Sequence, residues 1–169
     1  MPIRQSLLIE EARRVYTPKS LSEALRQGAP TAFLSHSHKD ATLAKGLQAH
    51  LARQGWDIYI DWEDTAMPDR PNRVTSDRIR RKIVDLELFL FLATQNSMAS
   101  RWCPWELGYA DGKKANRSIL IIQTSDYAGT SYGNEYIELY RQIEPTQSGG
   151  IGSFYKGDDG KILRGVARP

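Results

Sequence analysis

The stretch Leu86-Glu87-Leu88-Phe89-Leu90-Phe91-Leu92-Ala93 decides the fold. It is apolar throughout except for one acid near its start. A run of this length without alternation of polar and apolar residues predicts a β-strand that is buried on both faces. Such strands occur in parallel sheets covered by helices, so the flanking segments are expected to supply further strands and helices.

Three shorter apolar runs supply the other strands, at residues 31–34, 57–60 and 118–124. Apolar residues at helical spacing predict one helix after Asp40, its proposed N-cap, up to Gly55, and a second over 74–85. A third helix follows the central run. This order predicts an α/β, flavodoxin-like doubly wound parallel sheet with helices on both faces. The expected strand order is 2-1-3-4.

The two ends of the chain carry weaker patterns. Residues 1–30 are predicted to be an N-terminal helical extension, because residues 3–27 show only a partial apolar stripe. We expect it to dock on the main domain, residues 31–145, without being a clear part of its core; a partner-binding arm is the alternative. Residues 134–143 are expected to be a helix. Residues 146–169 are expected to form a C-terminal hairpin or tail around Gly157-Asp158-Asp159-Gly160.

Composition restricts the class of protein. The chain has 169 residues, one cysteine and a formal net charge of +3. A single cysteine excludes an internal disulfide framework and a cysteine-based zinc site, and it suits a reducing, cytoplasmic location. The mild charge gives no argument for nucleic-acid binding. No apolar run approaches the roughly 20 residues of a membrane span, and the first residues lack the pattern of a signal peptide.

The strand order predicts where a ligand binds. In a doubly wound sheet the ligand lies at the carboxyl ends of the strands, where the strand order reverses. The loop Ser35-His36-Ser37 follows the first strand, and residues 94–97 follow the third and lead into a helix carrying Glu106. Asp61 and Trp62 follow the second strand. We therefore expect Glu106 and the loop Ser35-His36-Ser37 to face one cleft, with Asp61 and Trp62 flanking it.

Trp102 and Glu106 stand four residues apart, so they share a helix face. An indole at a cleft can stack on a planar ring, and a carboxylate can stabilise positive charge on a sugar. The structural alternative is that Glu106 is a first-turn acid complementing the helix dipole and Trp102 a core anchor. Spacing alone favours the structural alternative. Trp105 and Tyr109 share another face and are expected to pack.

Other candidate sites are less convincing. His36 and His38 lack neighbouring ligands, so we predict no metal site, and Cys103 is expected to be buried rather than nucleophilic. Nothing resembles a phosphate-binding glycine loop. A basic cluster is expected to lie mainly on the solvent face of a helix, with a contact surface for an acidic partner or phosphates as the alternative. It comprises Arg70, Arg73, Arg78, Arg80, Arg81 and Lys82.

Three segments together resemble Toll/interleukin-1 receptor (TIR) domains, particularly bacterial ones, over about residues 31 to 124. Ala32-Phe33-Leu34-Ser35-His36-Ser37-His38-Lys39-Asp40 resembles their first box. Asp57-Ile58-Tyr59-Ile60-Asp61, followed by a proline-containing loop, resembles their second strand and BB loop. Ser97-Met98-Ala99-Ser100-Arg101-Trp102-Cys103-Pro104-Trp105-Glu106-Leu107 resembles the segment with the catalytic glutamate of the NAD-cleaving members.

The resemblance implies that Glu106 is catalytic and that the protein cleaves the nicotinamide–ribose bond of NAD. The product would be ADP-ribose or a cyclic ADP-ribose isomer, and NAD would be a substrate rather than a cofactor. It also implies a signal in antiphage defence, sensed by a separate effector, and self-association through TIR surfaces. The residues it maps onto the substrate-binding loops are Ser35, His36, Ser37, Asp61, Trp62 and Trp102. These implications reverse the preference for a structural Glu106.

Two departures from the receptor-type pattern point away from an adaptor. Residues 67–71 lack a Pro-Gly pair, and Phe154-Tyr155 is the nearest match to the third, Phe-Trp box. A non-catalytic interaction module, self-associating through the BB loop and the basic helix, is the alternative function. An enzyme of similar fold that processes nucleosides, with Glu106 as nucleophile, is a third possibility that the first box argues against.

Overall fold

The central run forms the middle of a parallel sheet. In the computed structural model, which describes residues 1–61, 73–146 and 150–155, strand β4 (Leu88–Ala93) is buried along its whole length. It pairs in parallel with β2 (Thr31–Ser35) and with β5 (Ile119–Ser125). The prediction of a strand covered on both faces is confirmed.

Within the described residues the sheet has seven strands. The first, β1 (Ile3–Arg4), pairs with the carboxyl end of β5. The remaining order is β3 (Tyr59–Asp61), β2, β4, β5, β6 (Arg141–Pro145) and β7 (Ile151–Phe154). Only β7 runs antiparallel to its neighbour among these pairs. The order confirms the flavodoxin-like doubly wound sheet, and its reversal lies between β2 and β4.

Helices cover both faces of the sheet. The α-helices of the described residues are α1 (Gln5–Ala12), α2 (Leu21–Gln27), α3 (Ala41–Arg53), α4 (Arg73–Asp85), α5 (Gln95–Met98) and α6 (Trp102–Asp111). Leu88, Leu90 and Leu92 of β4 pack with α1 and α3, whereas Phe89, Phe91 and Ala93 pack with α4 and α6. The two-residue period of the strand thus divides one apolar run between two cores.

The N-terminal residues contribute more to the core than their sequence predicts. Ile3 and Arg4 form a strand where a helix was expected, and Ile3 and Leu8 are buried in the α1–α3 core. Val15, the fourth residue of the partial stripe, is fully exposed. The stripe is partial because only two of its residues, Leu7 and Leu8, lie in the short helix α1. The division of the chain at residue 30 stays a prediction.

One expectation near the C-terminus was wrong, and a second falls largely outside the described residues. The predicted helix over 134–143 is a 3-10 turn at Ile137–Leu139 followed by β6, because pairing with β5 outweighs local helix propensity. Residues 153 and 154 belong to β7, which forms its hairpin with β6 at the sheet edge. Residues 156–169, including the expected turn 157–160 and partner segment 161–164, lie outside the described residues, so the hairpin between 153–156 and 161–164 stays a prediction.

Two smaller differences concern the segments that lead to the cleft. The second strand begins at Tyr59 rather than at residue 57. Asp40 precedes α3 as expected, but its carboxylate bonds elsewhere, as described below. Within the described ranges, no helix combines the length and the apolar character needed to cross a membrane.

Candidate functional site

The candidate site lies at the carboxyl ends of β2 and β4. Ser35 ends β2, and the segment after β4 leads through α5 into α6, which carries Glu106. Thr94 starts α5 with a capping box, in which its hydroxyl and that of Ser97 each accept the other residue's backbone N–H. The hydroxyl of Ser100 accepts the N–H groups of Trp102 and Cys103, so it caps the start of α6.

Glu106 is the fifth residue of α6 and points into the protein. Its side chain is 3% exposed, and Ser35, which is 1% exposed, donates its hydroxyl to Glu106 Oε2 at 2.5 Å. Pro104 lies in the first turn, where a backbone N–H has no intrahelical partner. Because Glu106, as the fifth residue, lies beyond the first turn of α6, the interpretation of Glu106 as a first-turn acid is wrong. The structure brings two predicted site residues into direct contact; their roles stay predictions.

Burial changes the chemistry of this carboxyl group. Loss of solvation raises the pKa of Glu106 to about 7, although the hydrogen bond from Ser35 acts in the opposite direction. The group therefore exchanges a proton near neutral pH. A carboxyl group in this state can stabilise a developing positive charge when ionised, or donate a proton when neutral.

A buried carboxylate, Asp40, ties the two cleft loops together. Thr94 donates its hydroxyl to Asp40 Oδ2 at 2.5 Å, and Asn96 donates its amide to Asp40 Oδ1 at 2.7 Å. Asp40 is 4% exposed. The sequence interpretation treated Asp40 only as a helix cap and did not include Thr94, Asn96 or Ser97 among the site residues. The sequence did carry a signal for these residues: they belong to a polar run that directly follows a buried strand, at the point where the strand order reverses.

We expect Asp40→Ala to destabilise the fold by about 3 kcal/mol, because two donors in or near the core lose their acceptor. The free energy of unfolding in urea measures the effect. The neighbouring exposed Lys39→Ala is the control and is expected to change it by less than about 0.5 kcal/mol. Equal stabilities for the two variants would contradict the role of Asp40 as a clamp.

His36 and Ser37 shape the loop that follows β2. His36 Nδ1 lies 3.1 Å from the carbonyl oxygen of Leu34, and burial lowers the pKa of the imidazole. The hydroxyl of Ser37 accepts the N–H of Lys39 at the start of a 3-10 turn, His38–Asp40. Both side chains therefore contribute to the loop conformation next to Ser35.

Asp61 lies on the sheet face that α4 and α6 cover. It pairs in register with Phe33, two residues before Ser35 on the same face of β2. Its carboxylate forms an ion pair with Lys82 of α4 at 3.0 Å. Trp62, predicted to flank the cleft, lies outside the described residues, as does Arg70 of the basic cluster.

The aromatic residues of α6 contact one another along the helix and are half-buried against the α4–α6 core. Trp102 meets Trp105 edge-on at 5.4 Å between ring centroids, and Trp105 stacks on Tyr109 at 6.0 Å. Arg80 of α4 lies over both Trp105 and Tyr109. Trp105 and Tyr109 therefore pack as predicted. Trp102 is half-buried against the α4–α6 core and turns toward Trp105.

The basic cluster divides into two groups. Arg80 and Lys82 are half-buried and form ion pairs with Asp77 and Asp61, so they hold α4 in place rather than facing solvent. Arg73, Arg78 and Arg81 are exposed. The prediction of a solvent-facing cluster therefore applies to this second group.

Cys103 and the histidines give little support to other chemistry. Cys103 is buried, and burial raises the pKa of its thiol to about 12, so it stays protonated. In the part of the chain that the structure describes, no three His, Cys, Asp or Glu side chains form a group suited to a metal ion. The contacts described at the cleft join the carboxyl group of Glu106 to the hydroxyl of Ser35, and the carboxylate of Asp40 to Thr94 and Asn96.

Comparison with known proteins gives the family. A family model described as TIR domain matches residues 32–148. A Bacillus cereus (strain MSX-D12) protein named as a probable 3' cyclic ADP-D-ribose synthase, ThsB', is 36% identical over 113 residues, which cover 66% of this chain and 58% of the relative. A Cytobacillus dafuensis protein named as a candidate cyclic ADP-D-ribose synthase, TIR2, is 27% identical over 99 residues, 57% of this chain and 26% of the relative. The chain thus spans about half of one relative and a quarter of the other.

Proposed function

Since the chain belongs to the TIR domain family, we propose that it cleaves the nicotinamide–ribose bond of NAD, with Glu106 as the catalytic carboxylate. The observation that carries the proposal is the buried Glu106, which accepts a hydrogen bond from Ser35 at the reversal point of the sheet. The names of the two relatives, as cyclic ADP-D-ribose synthases, support the same reaction class.

The reaction breaks the bond between ribose C1 and the ring nitrogen of nicotinamide. The bonding electron pair leaves with the ring, so nicotinamide departs neutral and positive charge develops on the ribose. The ionised carboxylate of Glu106 stabilises this charge, or holds the ribose hydroxyls, in a site from which water is largely excluded. Attack by water then gives ADP-ribose and a proton. Attack by a nucleophile of the same molecule gives a cyclic isomer and a proton.

Among these products we favour a cyclic ADP-ribose isomer, because both relatives are named for cyclic products. NAD is the substrate in this proposal, and we propose neither a cofactor nor a metal.

The substrate-binding roles are assigned to the loops around Glu106. Ser35 orients the carboxylate directly. His36, Ser37 and Asp61 line the neighbouring loop and strand ends, and we assign to Trp102 and Trp62 stacking on the planar rings of NAD. The nucleotide product is proposed as a signal in antiphage defence that a separate effector senses. The reaction takes place in the cytoplasm, the compartment that the single cysteine predicts.

A TIR module that only self-associates is the second candidate. The side of α4 that carries Arg73, Arg78 and Arg81 favours it, because these three charged side chains are exposed to solvent. Charge reversal at Arg81 tests this surface, and Arg81→Glu should weaken self-association. Arg80 is unsuitable for the purpose, because it also holds α4 against the rings of α6.

The proposed reaction is tested by incubating the purified protein with NAD and separating the products by chromatography. We expect free nicotinamide in equal amount to a cyclic ADP-ribose isomer, identified by mass against standards. A series of protein concentrations separates an enzyme that works only when assembled from a protein that lacks activity. Consumption of no NAD at any concentration, with normal self-association, would favour the second candidate.

Replacing Ser35 by Ala should shift the pH dependence of catalysis upward. The Ser35 hydroxyl lowers the pKa of Glu106, so its removal raises that pKa above about 7 and postpones ionisation. We expect the rising limb of kcat/KM for NAD to move to higher pH. Ser37→Ala is the matched control: its hydroxyl contacts Lys39, and the midpoint should stay in place whatever happens to KM. A common midpoint for Ser35→Ala and wild type would contradict this role.

A further inference from the structure

The N-terminal segment Ile3–Ala12, comprising β1 and α1, lies outside the residues that the family model matches and yet is built into the core. Ile3 is 1% exposed and Leu8 is not exposed, and both pack in the α1–α3 core. Its strand pairs with the carboxyl end of β5, Ile3 opposite Thr124 and Arg4 opposite Ser125. The Glu106 site also lies at the carboxyl ends of the strands.

The helix of this segment is fixed closely against α3. A Cβ placed on Gly46 of α3 would lie 1.8 Å from the carbonyl oxygen of Leu8, so the two backbones touch and only glycine fits. Glu11, 2% exposed, forms an ion pair with Arg53, the last residue of α3. Because α3 begins directly after Asp40, the position of α1 is coupled to one of the two cleft loops.

A chain of hydrogen bonds couples the same segment to the other cleft loop. Gln5 Nε2 donates to Thr124 Oγ1 at 2.9 Å, and Thr124 Oγ1 donates to the carbonyl oxygen of Ala93 at 2.6 Å. Thr124 is completely buried. Ala93 is the last residue of β4, and the next residue, Thr94, donates to Asp40. The segment therefore holds the point at which β4 turns toward Glu106.

We propose that the segment Ile3–Ala12 positions the Glu106 site for catalysis, through the hydrogen-bonded chain Gln5–Thr124–Ala93 and the contact of α1 with α3. The proposal rests on the proposed NAD cleavage for its activity readout only. Thr124 acts as a positioning residue: it touches the loop and not the substrate. Displacement of a catalytic group by a fraction of an ångström is sufficient to lower the rate without changing substrate affinity.

The test compares Thr124→Val with Thr124→Ser. Valine nearly keeps the volume and removes the hydroxyl, whereas serine keeps the hydroxyl. We expect Thr124→Val to lower kcat for NAD cleavage about tenfold with KM within about twofold of wild type, and Thr124→Ser to keep kcat within about twofold. Gln5→Leu, which breaks the chain one step earlier at a half-buried side chain, is expected to lower kcat in the same direction. It serves as the second variant if Thr124→Val does not fold.

A second readout does not depend on turnover. Carbon NMR of the Glu106 side-chain carboxyl, assigned by its loss in Glu106→Gln, reports the pKa of that group. A loosened loop admits water, so the pKa of Glu106 should fall toward its ordinary value in Thr124→Val and Gln5→Leu and stay raised in Thr124→Ser. If wild type releases no nicotinamide, the proposed function fails while this titration still decides the positioning role. The proposal would be overturned if Thr124→Val and Gln5→Leu kept the wild-type kcat or the wild-type titration of Glu106. It would also be overturned if Thr124→Ser lowered kcat as much as Thr124→Val.

Discussion

Replacing Glu106 by Gln is expected to lower kcat/KM for NAD cleavage by about a thousandfold. The amide has nearly the shape of the carboxyl group, so packing around it is kept while the negative charge is lost. That charge acts in a site with 3% exposure, where an electrostatic contribution to the transition state is larger than in water. Release of nicotinamide, followed by chromatography, measures the effect.

The control for this variant is Glu87→Gln, the same change at an exposed residue just before β4, at the opposite edge of the sheet. It is expected to keep the wild-type rate within about twofold. Retention of more than about a tenth of the activity by Glu106→Gln would contradict the assigned role of the carboxylate.

The same substitution is expected to stabilise the fold at neutral and higher pH by about 3 kcal/mol. The carboxyl group of Glu106 has a pKa of about 7 in the folded state and an ordinary value of 4.5. Between these values the folded protein binds more protons than the unfolded chain, so wild-type stability falls as pH rises from 4.5 and levels off above 7. Glutamine carries no charge and removes this loss.

Urea unfolding of wild type and Glu106→Gln, at intervals from pH 4.5 to 8, tests this expectation. The difference between the two unfolding free energies cancels the titration of other groups. It should be small at the low end and grow toward the high end. A constant difference over this range would mean that Glu106 does not titrate at a raised pKa. An active site whose essential acid costs stability is a common compromise in enzymes.

The order of the four central parallel strands, and the placement of Glu106 near the loop that begins at Ser35, could be predicted from the sequence. An apolar run as short and continuous as residues 88–93 favours a covered strand over a buried helix, and the strand–helix alternation leaves few topologies. Once the order was known, the reversal point brought the loops after β2 and β4 together. The hydrogen bond from Ser35 to Glu106 is found where these loops meet.

The parts that could not be predicted depend on contacts distant in the sequence. The burial of Ile3 and Leu8 requires β5 and α3, and the strand at Arg141–Pro145 requires pairing with β5. Asp40 looked like a helix cap because the local pattern of an acid before a helix is the same whichever donors it meets. Its partners Thr94 and Asn96 lie more than fifty residues away in the chain.

The catalytic role of Glu106 is tested by comparing two titrations of the wild-type protein. One follows the carboxyl resonance of Glu106 in the free protein, and the other follows kcat/KM for NAD cleavage against pH. Since kcat/KM reports ionisations of the free enzyme, we expect one shared midpoint near pH 7, with activity rising as Glu106 ionises. A Glu106 resonance that titrates near 4.5, or a kinetic midpoint that does not coincide with it, would contradict the claim that the buried Glu106 carboxylate cleaves NAD.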